Sequence, residues 1–198
     1  MSERQDWRAR RWDETHQRIY ATAMGLFEAH GFEQVNVGQI AAGAGVSVPT
    51  FYAHYPSKEH LVMQLPTAEE MTALLATQPA HLPISERIRR AAPEWFAAWT
   101  TEYREYHLAR WRIIATTPSL RMRAAEFERT TAGMVADALP ATPGAELGPA
   151  DRIVVYAHLA AYTAGMLAWA DGNGERKVEE TVDEAFEALH RMGATPSA

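Results

Sequence analysis

The sequence predicts an all-α protein of about nine helices. Apolar residues recur three or four positions apart along most of the chain, and no segment alternates polar and apolar residues over the length of a strand. Capping residues, glycines and prolines stand between these stretches, where helices are expected to begin and end. We expect three helices in an N-terminal head, residues 1–60, then one linking helix and five helices in a C-terminal body, residues 61–198.

Composition favours a globular protein of a reducing compartment. The chain has 198 residues, 47% of them hydrophobic, and no cysteine, so packing must hold the fold rather than disulfides or thiolate metal sites. The net charge of −6 is uneven, because the head carries six basic and seven acidic residues against 13 and 18 in the body. Since the N-terminus is charged where a signal peptide would be apolar, we expect a cytoplasmic protein.

One uncharged segment, Ile153 to Ala170, is about long enough to cross a membrane. A histidine, a threonine, two tyrosines and many alanines lower its hydrophobicity, and Asp151 and Arg152 abut it. We therefore expect a buried helix rather than a membrane span.

The head is expected to begin with a helix from about Asp13 to Gly31. Its apolar stripe consists of Ile19, Ala23, Leu26 and Phe27. Asn36 then fits a helix N-cap, with Gln39 completing a capping box. The linking helix is expected from Ser57 onwards. The five body helices are expected from Ser85 with a kink at Pro93, over 103–115, over 118–139, over the apolar segment Ile153 to Ala170, and after Gly174.

Residues 36–55 fit a helix-turn-helix plan. Ala41 is small enough for the second helix to cross the first, and Gly45 can adopt the positive φ that the turn needs. The second helix restarts at Ser47 with Pro49 in its first turn, where a missing N–H costs nothing. The outward side chains of that helix would face a DNA major groove. The small shared core would consist of Ile40, Val46 and Phe51.

This segment resembles the signature of the TetR family of transcriptional regulators. The matching positions are Ile40-Ala41, Ala44–Ser47, Thr50, Tyr52, His54-Tyr55, Ser57–Glu59 and Leu61. The resemblance covers the first third of the chain and implies a homodimeric repressor that binds operator DNA. It also implies that Tyr52, His54 and Lys58 contact mainly phosphates. Val37 and Gly38 depart from the family pattern, so one phosphate contact is expected to be missing.

The sequence suggests two groups of DNA-binding residues. Those in and beside the helix-turn-helix are Asn36, Gln39, Val48, Pro49, Thr50, Tyr52, His54 and Lys58. The second group lies in a basic arm, residues 4–11, where Arg8, Arg10 and Arg11 either enter a minor groove or form a solvated tail. The alternative is a small helical ligand-binding protein or enzyme that uses the helix-turn-helix only as scaffold.

The body suggests an effector site and a dimer interface. No catalytic group, metal site or cofactor site is expected. Apolar and aromatic side chains predict a hydrophobic or aromatic small-molecule effector, with His107 or Arg110 either anchoring a polar end or serving the core. The predicted site consists of Trp95, Trp99, Tyr103, His107, Arg110, Trp111, Phe127, Met134, Tyr162 and Met166.

Rows of small residues on the long apolar helix predict close packing of the last two helices across a two-fold axis. One row is Ala157, Ala161 and Gly165, and the other is Ala160, Ala164 and Ala168. We expect the interface at Ala157, Ala161, Gly165, Val182, Phe186 and Leu189. Pro66 would bend the linking helix and offer a two-state element between effector and DNA.

Overall fold

The computed structural model describes residues 3–64, 66–139 and 147–193. Within these residues the chain forms nine α-helices and no strand, which confirms the all-α prediction. The helices are α1 Glu3–His30, α2 Val37–Gly43, α3 Val48–His54, α4 Ala68–Ala76, α5 Ile84–Ala97, α6 Thr101–Thr116, α7 Pro118–Ala138, α8 Pro149–Asp171 and α9 Val178–Gly193. Single 3-10 turns lie at Phe32–Gln34 and Lys58–Leu61. The chain folds as two compact units, Met1–Gln64 and Leu65–Ala198.

Helix α1 of the first unit begins about ten residues earlier than the apolar stripe indicated, at Glu3 rather than Asp13. Its first turns carry no apolar stripe, so periodicity could not reveal them. Arginine, glutamine, glutamate and alanine are nevertheless strong helix formers, and ring contacts four residues apart support the helix. The Arg11 guanidinium lies 5.2 Å from the centre of the Trp7 ring. The helix ends before Gly31, whose φ is 81°.

Helices α2 and α3 form the helix-turn-helix as predicted. Gly45 takes a φ of 64° in the turn, and the Val46 N–H donates to the Ala41 carbonyl at 2.9 Å. Ile40 and Phe51 have no exposed surface, so the two helices close over a common core. The Arg18 Nε also donates to the Ala44 carbonyl at 2.9 Å, which ties the end of α2 to α1.

The expected linking helix with a bend at Pro66 is wrong. Lys58–Leu61 is a single 3-10 turn, and the described residues between Leu61 and Ala68 are not helical. Helix α4 starts afresh because Thr67 and Glu70 form a capping box directly after Pro66. A proline in that place disfavours helix before it rather than bending a helix through it.

The second unit is built around α8, which packs against α5, α6, α7 and α9. By length and composition α8 is the one described helix that could cross a membrane, and 44% of its apolar window is buried inside the second unit. Helix α9 crosses it at Gly165, where an added Cβ would lie 2.6 Å from Val182 Cα. Ion pairs such as Arg104 to Glu179 join α6 to α9.

The remaining helices begin and end near their expected positions. Helix α5 starts at Ile84, after Pro83, rather than at Ser85 as expected. Ser85 therefore lies inside its first turn and is not its cap. Pro93 lies within α5 as predicted. The Arg87 Nη1 donates to the Leu139 carbonyl at 2.6 Å. This hydrogen bond gives a partner to one of the carbonyls that the end of α7 leaves unpaired within the helix. Pro140, expected to end α7, lies outside the described residues.

Candidate nucleic-acid interface and aromatic effector site

The candidate DNA-binding surface is the outward face of α3. Val48 is 40% exposed and Tyr52 is 52% exposed, and Pro49 is exposed beside them. Thr50 is half-buried, and its hydroxyl lies 2.7 Å from the Ser47 hydroxyl. Ser47 also caps the helix, since its hydroxyl accepts the Thr50 N–H at 3.1 Å. Four of the predicted residues therefore lie together on one short helix whose start is fixed by its own cap.

Asn36 and Gln39 form the predicted capping box at the start of α2. Asn36 Oδ1 accepts the Gln39 N–H at 3.0 Å, and Gln39 Oε1 accepts the Asn36 N–H at 2.8 Å. Both side chains are exposed, but their oxygens are already engaged by the backbone. The amide nitrogens are then the groups through which either residue could bind DNA, as hydrogen-bond donors.

Lys58 lies inside the structure of the first unit. Its Nζ donates to the Phe32 and Val35 carbonyls, both at 2.9 Å, and stands 4.3 Å from the centre of the Phe32 ring. An ammonium group donates three hydrogen bonds, so two of its three are used on the backbone. Lys58 is half-buried and keeps one N–H beyond these two bonds, so its contact with a phosphate stays a prediction.

His54, the last residue of α3, is half-buried against α1. Its ring lies 4.5 Å from the Trp12 ring and 5.7 Å from the His16 ring, measured between centroids. The Nδ1 atoms of His16 and His54 are buried, with no hydrogen-bond partner among the described residues. Burial lowers the pKa of His54, and the nearby Arg18 guanidinium lowers it further. Both influences disfavour the protonated form of the imidazole. Sequence reasoning missed Trp12 and His16, because both precede the recognised motif.

The basic arm is helical. Arg8, Arg10 and Arg11 are exposed on the first turns of α1.

In the second unit, Trp99 is the centre of an aromatic cluster. It stacks on His107 with ring centroids 4.3 Å apart, and the edges of Phe96 and Tyr103 meet it at 5.1 and 5.4 Å. Trp169 lies 6.4 Å away, on α8. The structure thus brings together residues from α5, α6 and α8. Phe96 and Trp169 were missed as site residues because no helical stripe shows which rings of different helices meet.

The other predicted effector residues lie around this cluster. Tyr162 stacks parallel to Phe96 at 6.0 Å, and Met166 is fully buried in the same core. The rest are half-buried against that core and comprise Trp95, Trp111 and Met134. Phe127 is half-buried on α7, and its place in an effector site stays a prediction.

Burial controls the electrostatics of the cluster. It lowers the pKa of His107 to about 3, with a further contribution from Arg110. Arg110 is only 4% exposed and stands 5.4 Å from the centre of the Tyr106 ring. Burial also raises the pKa of the Tyr162 hydroxyl. Trp99 Nε1 and His107 Nε2 are buried without a hydrogen-bond partner among the described residues, so the cluster holds polar atoms that a ligand could satisfy.

The predicted dimer residues fall on two different faces. Gly165, Val182 and Phe186 are buried in the core, where Val182 and Phe186 are 1% and 2% exposed, so the prediction that they contact a partner is wrong. They are covered because α9 crosses α8 at Gly165. The remaining three are half-buried and comprise Ala157, Ala161 and Leu189.

The second small-residue row of α8 points outward. Ala160, Ala164 and Ala168 are exposed, and Ile153, 69% exposed, continues the row. Met192 on α9 is 84% exposed. These exposed residues, Ile153, Ala160, Ala164 and Ala168 on α8 and Met192 on α9, are called the outer α8–α9 face below.

Two protein-family profiles match the chain. The profile described as bacterial regulatory proteins, tetR family, matches residues 19–65, and that of the MftR C-terminal domain matches residues 82–193, more than half of the chain. The chain belongs to the TetR family. This confirms the resemblance recognised from the motif, and at the level of the family it confirms a regulator rather than an enzyme.

Individual relatives agree over parts of the chain. The regulator EthR of Mycolicibacterium smegmatis is 43% identical over 53 residues, 27% of this chain and 24% of EthR. MftR of Mycobacterium tuberculosis, assigned to the regulation of mycofactocin biosynthesis, is 33% identical over 117 residues, 57% of each chain. The match to EthR therefore covers about a quarter of the length of that relative. NalD, the secondary repressor of the MexAB-OprM multidrug efflux pump in Pseudomonas aeruginosa, shares the fold with a TM-score of 0.57 and 19% identity, over 91% of this chain and 96% of NalD.

The buried His107 predicts a pH dependence of stability. Because its pKa is about 3 in the folded chain and 6.5 in the ordinary reference state, the unfolded chain binds more protons at mildly acidic pH. The free energy of unfolding should therefore fall as pH drops below 6.5, by at most about 1.4 kcal/mol per pH unit from this group. Urea unfolding between pH 4 and 7 measures this free energy. It should change less with pH in His107→Phe than in the wild type. Parallel curves for the two proteins would contradict this account.

Proposed function

We propose that the chain is a repressor that binds operator DNA through residues 36–55 and loses that affinity when a small molecule binds its second unit. On this proposal the head, residues 1–60, is the DNA-binding domain, and the body, residues 61–198, binds effector and dimerises in the cytoplasm. The observation that carries it is the exposed face of α3, on a capped helix-turn-helix within the segment that matches the TetR family. NalD, a repressor of similar fold, supports repression rather than activation.

The exposed groups suggest how the duplex is recognised. Val48 and Pro49 suit thymine methyl groups, and the Thr50 hydroxyl suits a base edge in the major groove. The amides of Asn36 and Gln39 can donate to bases or phosphates at the start of α2. The Tyr52 hydroxyl and the neutral His54 imidazole suit phosphate oxygens, which carry no sequence information. Arg8, Arg10 and Arg11 supply the positive charge.

Binding to duplexes from the region flanking the chain's own gene tests the DNA proposal. Thr50→Ala should change the ranking of operator variants, because it alters a base-facing group, by about tenfold at one position. Tyr52→Phe should weaken all duplexes alike, because it removes a phosphate contact. Fluorescence anisotropy with a labelled duplex measures both, and Met122→Ala, an exposed change on α7, is the control.

Wild-type protein that binds no flanking duplex better than a scrambled one would contradict the proposal. That outcome would favour the alternative, in which the helix-turn-helix is only scaffold for a helical ligand-binding protein.

The effector that the second unit suits is an aromatic molecule bearing an oxygen acceptor. The cluster around Trp99 offers ring faces, and the buried Trp99 N–H has no acceptor among the described residues. A donor left without a partner in the interior costs about 1–3 kcal/mol, so a ligand oxygen that accepts it would be favoured. His107 is neutral at physiological pH, because burial lowers its pKa to about 3, and its Nε2 can bond the same polar group. Arg110 favours a ligand that is neutral or negative.

Paired probes that differ by one hydroxyl test the effector class. Naphthol should bind the wild type about tenfold more tightly than naphthalene, since only naphthol offers an oxygen to Trp99. Trp99→Phe keeps an aromatic ring but removes the N–H, and it should abolish most of this difference. Trp7→Phe, the same change at an exposed ring of the first unit, should keep it. Calorimetric titration measures the affinities, and an equal preference in wild type and Trp99→Phe would contradict the assignment.

The dimer proposed here uses the outer α8–α9 face. Its alanines allow another helix to approach closely, and Ile153 and Met192 supply exposed apolar area. An isologous contact of two such faces would form a four-helix bundle, and its two-fold axis would suit a palindromic operator.

A charge introduced into this face should separate the protomers. Ala164→Arg buries an unpaired cation in the proposed interface and should yield monomers by light scattering at micromolar concentration. Ala73→Arg places the same charge on an exposed position of α4 and should leave the dimer intact. A fully dimeric Ala164→Arg protein would mean that the interface lies elsewhere.

A further inference from the structure

Trp12 extends the exposed surface of the recognition helix onto α1. Its ring is 48% exposed, and its other side lies against His54 at 4.5 Å and His16 at 4.9 Å. The family profile that matches the head begins at residue 19, so Trp12 and His16 lie outside it while His54 lies within it. The contact therefore joins a residue of the matched segment to two residues that precede it.

A ring stack fixes the position of the indole. Beneath Trp12, the His16 ring packs on Tyr55 with centroids 4.2 Å apart, and the Tyr55 hydroxyl donates to the His16 carbonyl at 3.3 Å. Tyr55 directly follows α3, so the stack joins α1 to the end of the recognition helix. A side chain ordered in this way loses little conformational freedom when a partner binds it.

The surroundings of Trp12 suit a polyanion. Arg8, Arg10 and Arg11 are exposed on the same helix within the preceding turn, and no acidic residue lies between Trp7 and Trp12. Asp13 and Glu14 follow directly on the same helix, and Asp13 lies close enough to His16 to raise its pKa against the effect of burial, so the arginines are the positive part of a mixed surface. An exposed indole beside guanidinium groups matches a sugar-phosphate backbone, because the ring can pack on deoxyribose while its N–H donates to a phosphate oxygen.

We propose that Trp12 contacts the DNA backbone beside the groove that α3 enters, and that His16 is the positioning residue that holds its ring. The inference rests on the proposed DNA-binding function. Since backbone contacts do not read sequence, Trp12 adds affinity for any duplex and not preference for one.

Binding by the full-length protein to a labelled operator and to a scrambled duplex tests this assignment. Trp12→Ala should weaken both by about tenfold, and Trp12→Phe, which keeps a ring without the donor, by about threefold. Gln17→Ala, an exposed change on the same helix, should remain within about twofold of the wild type. Tryptophan emission should change when DNA binds the wild type, and that change should shrink in Trp12→Phe.

The positioning role of His16 has its own variants. His16→Ala removes the ring under Trp12 and should lose part of the same affinity, whereas His16→Phe keeps a ring and should restore it. A purely structural role for His16 would lower the unfolding midpoint of His16→Ala without the rescue of affinity by His16→Phe.

The outcomes separate the two proposals. If the wild type binds operator but Trp12→Ala and Trp12→Phe bind as tightly, the Trp12 assignment is overturned and the proposed function stands. If Trp12→Ala does not fold, Trp12→Phe decides, and unchanged affinity and emission response in that variant overturn the assignment. A loss confined to the operator would also overturn it, because Trp12 would then read bases. Failure of the wild type to bind any duplex instead contradicts the proposed function itself.

Discussion

The close approach of α8 to α9 at Gly165 determines which faces of the second unit stay exposed. A methyl group there would lie 2.6 Å from Val182 Cα, so the two backbones are in contact. The rings of His158 and Phe186, 5.6 Å apart, continue this crossing toward the start of α8. Because α9 covers Gly165 in the first small-residue row of α8, the adjacent row, Ala160, Ala164 and Ala168, is the more exposed of the two and is the row that the proposed dimer uses. The same packing turns the other side of α8 toward α5 and α6, where Trp169 and Tyr162 meet the aromatic cluster.

In the first unit, structure and recognition compete for the same side chains. The oxygens of Asn36 and Gln39 are held by the capping box, and the Lys58 ammonium is held by two carbonyls. A residue that stabilises the backbone in this way has fewer groups left for DNA. The exposed face of α3 is itself rich in apolar and hydroxyl groups and poor in charge, so the proposed DNA binding would rely on shape and methyl contacts more than on bidentate hydrogen bonds.

Features that depend on a few neighbouring residues could be predicted from the sequence. The Asn36 to Gln39 capping box, the positive φ of Gly45 and the Ser47 cap each follow from local hydrogen bonding or steric limits, and the structure has all three. Features that depend on the partner of a helix could not. Helical periodicity showed two rows of small residues on α8, but it could not show which row α9 would cover. Periodicity also gave no sign of the first turns of α1, because they bury no apolar stripe. It could not show that Trp99, just after α5, would meet Trp169 of α8.

The helical state of the arginine segment bears on how the proposed repressor would hold DNA. The head has one more acidic than basic residue, Lys58 is engaged internally, and burial lowers the pKa of His54, so the arginines of α1 must supply most of the charge that phosphates require. An α-helix with its side chains is about 10 Å wide, whereas the minor groove of B-DNA is about 6 Å wide. A flexible arm could enter that groove, but a helix cannot. Of the two roles that the sequence left open for this segment, insertion is therefore disfavoured, and exposed guanidinium groups that contact the phosphate backbone from a helix are a third role that the structure suggests.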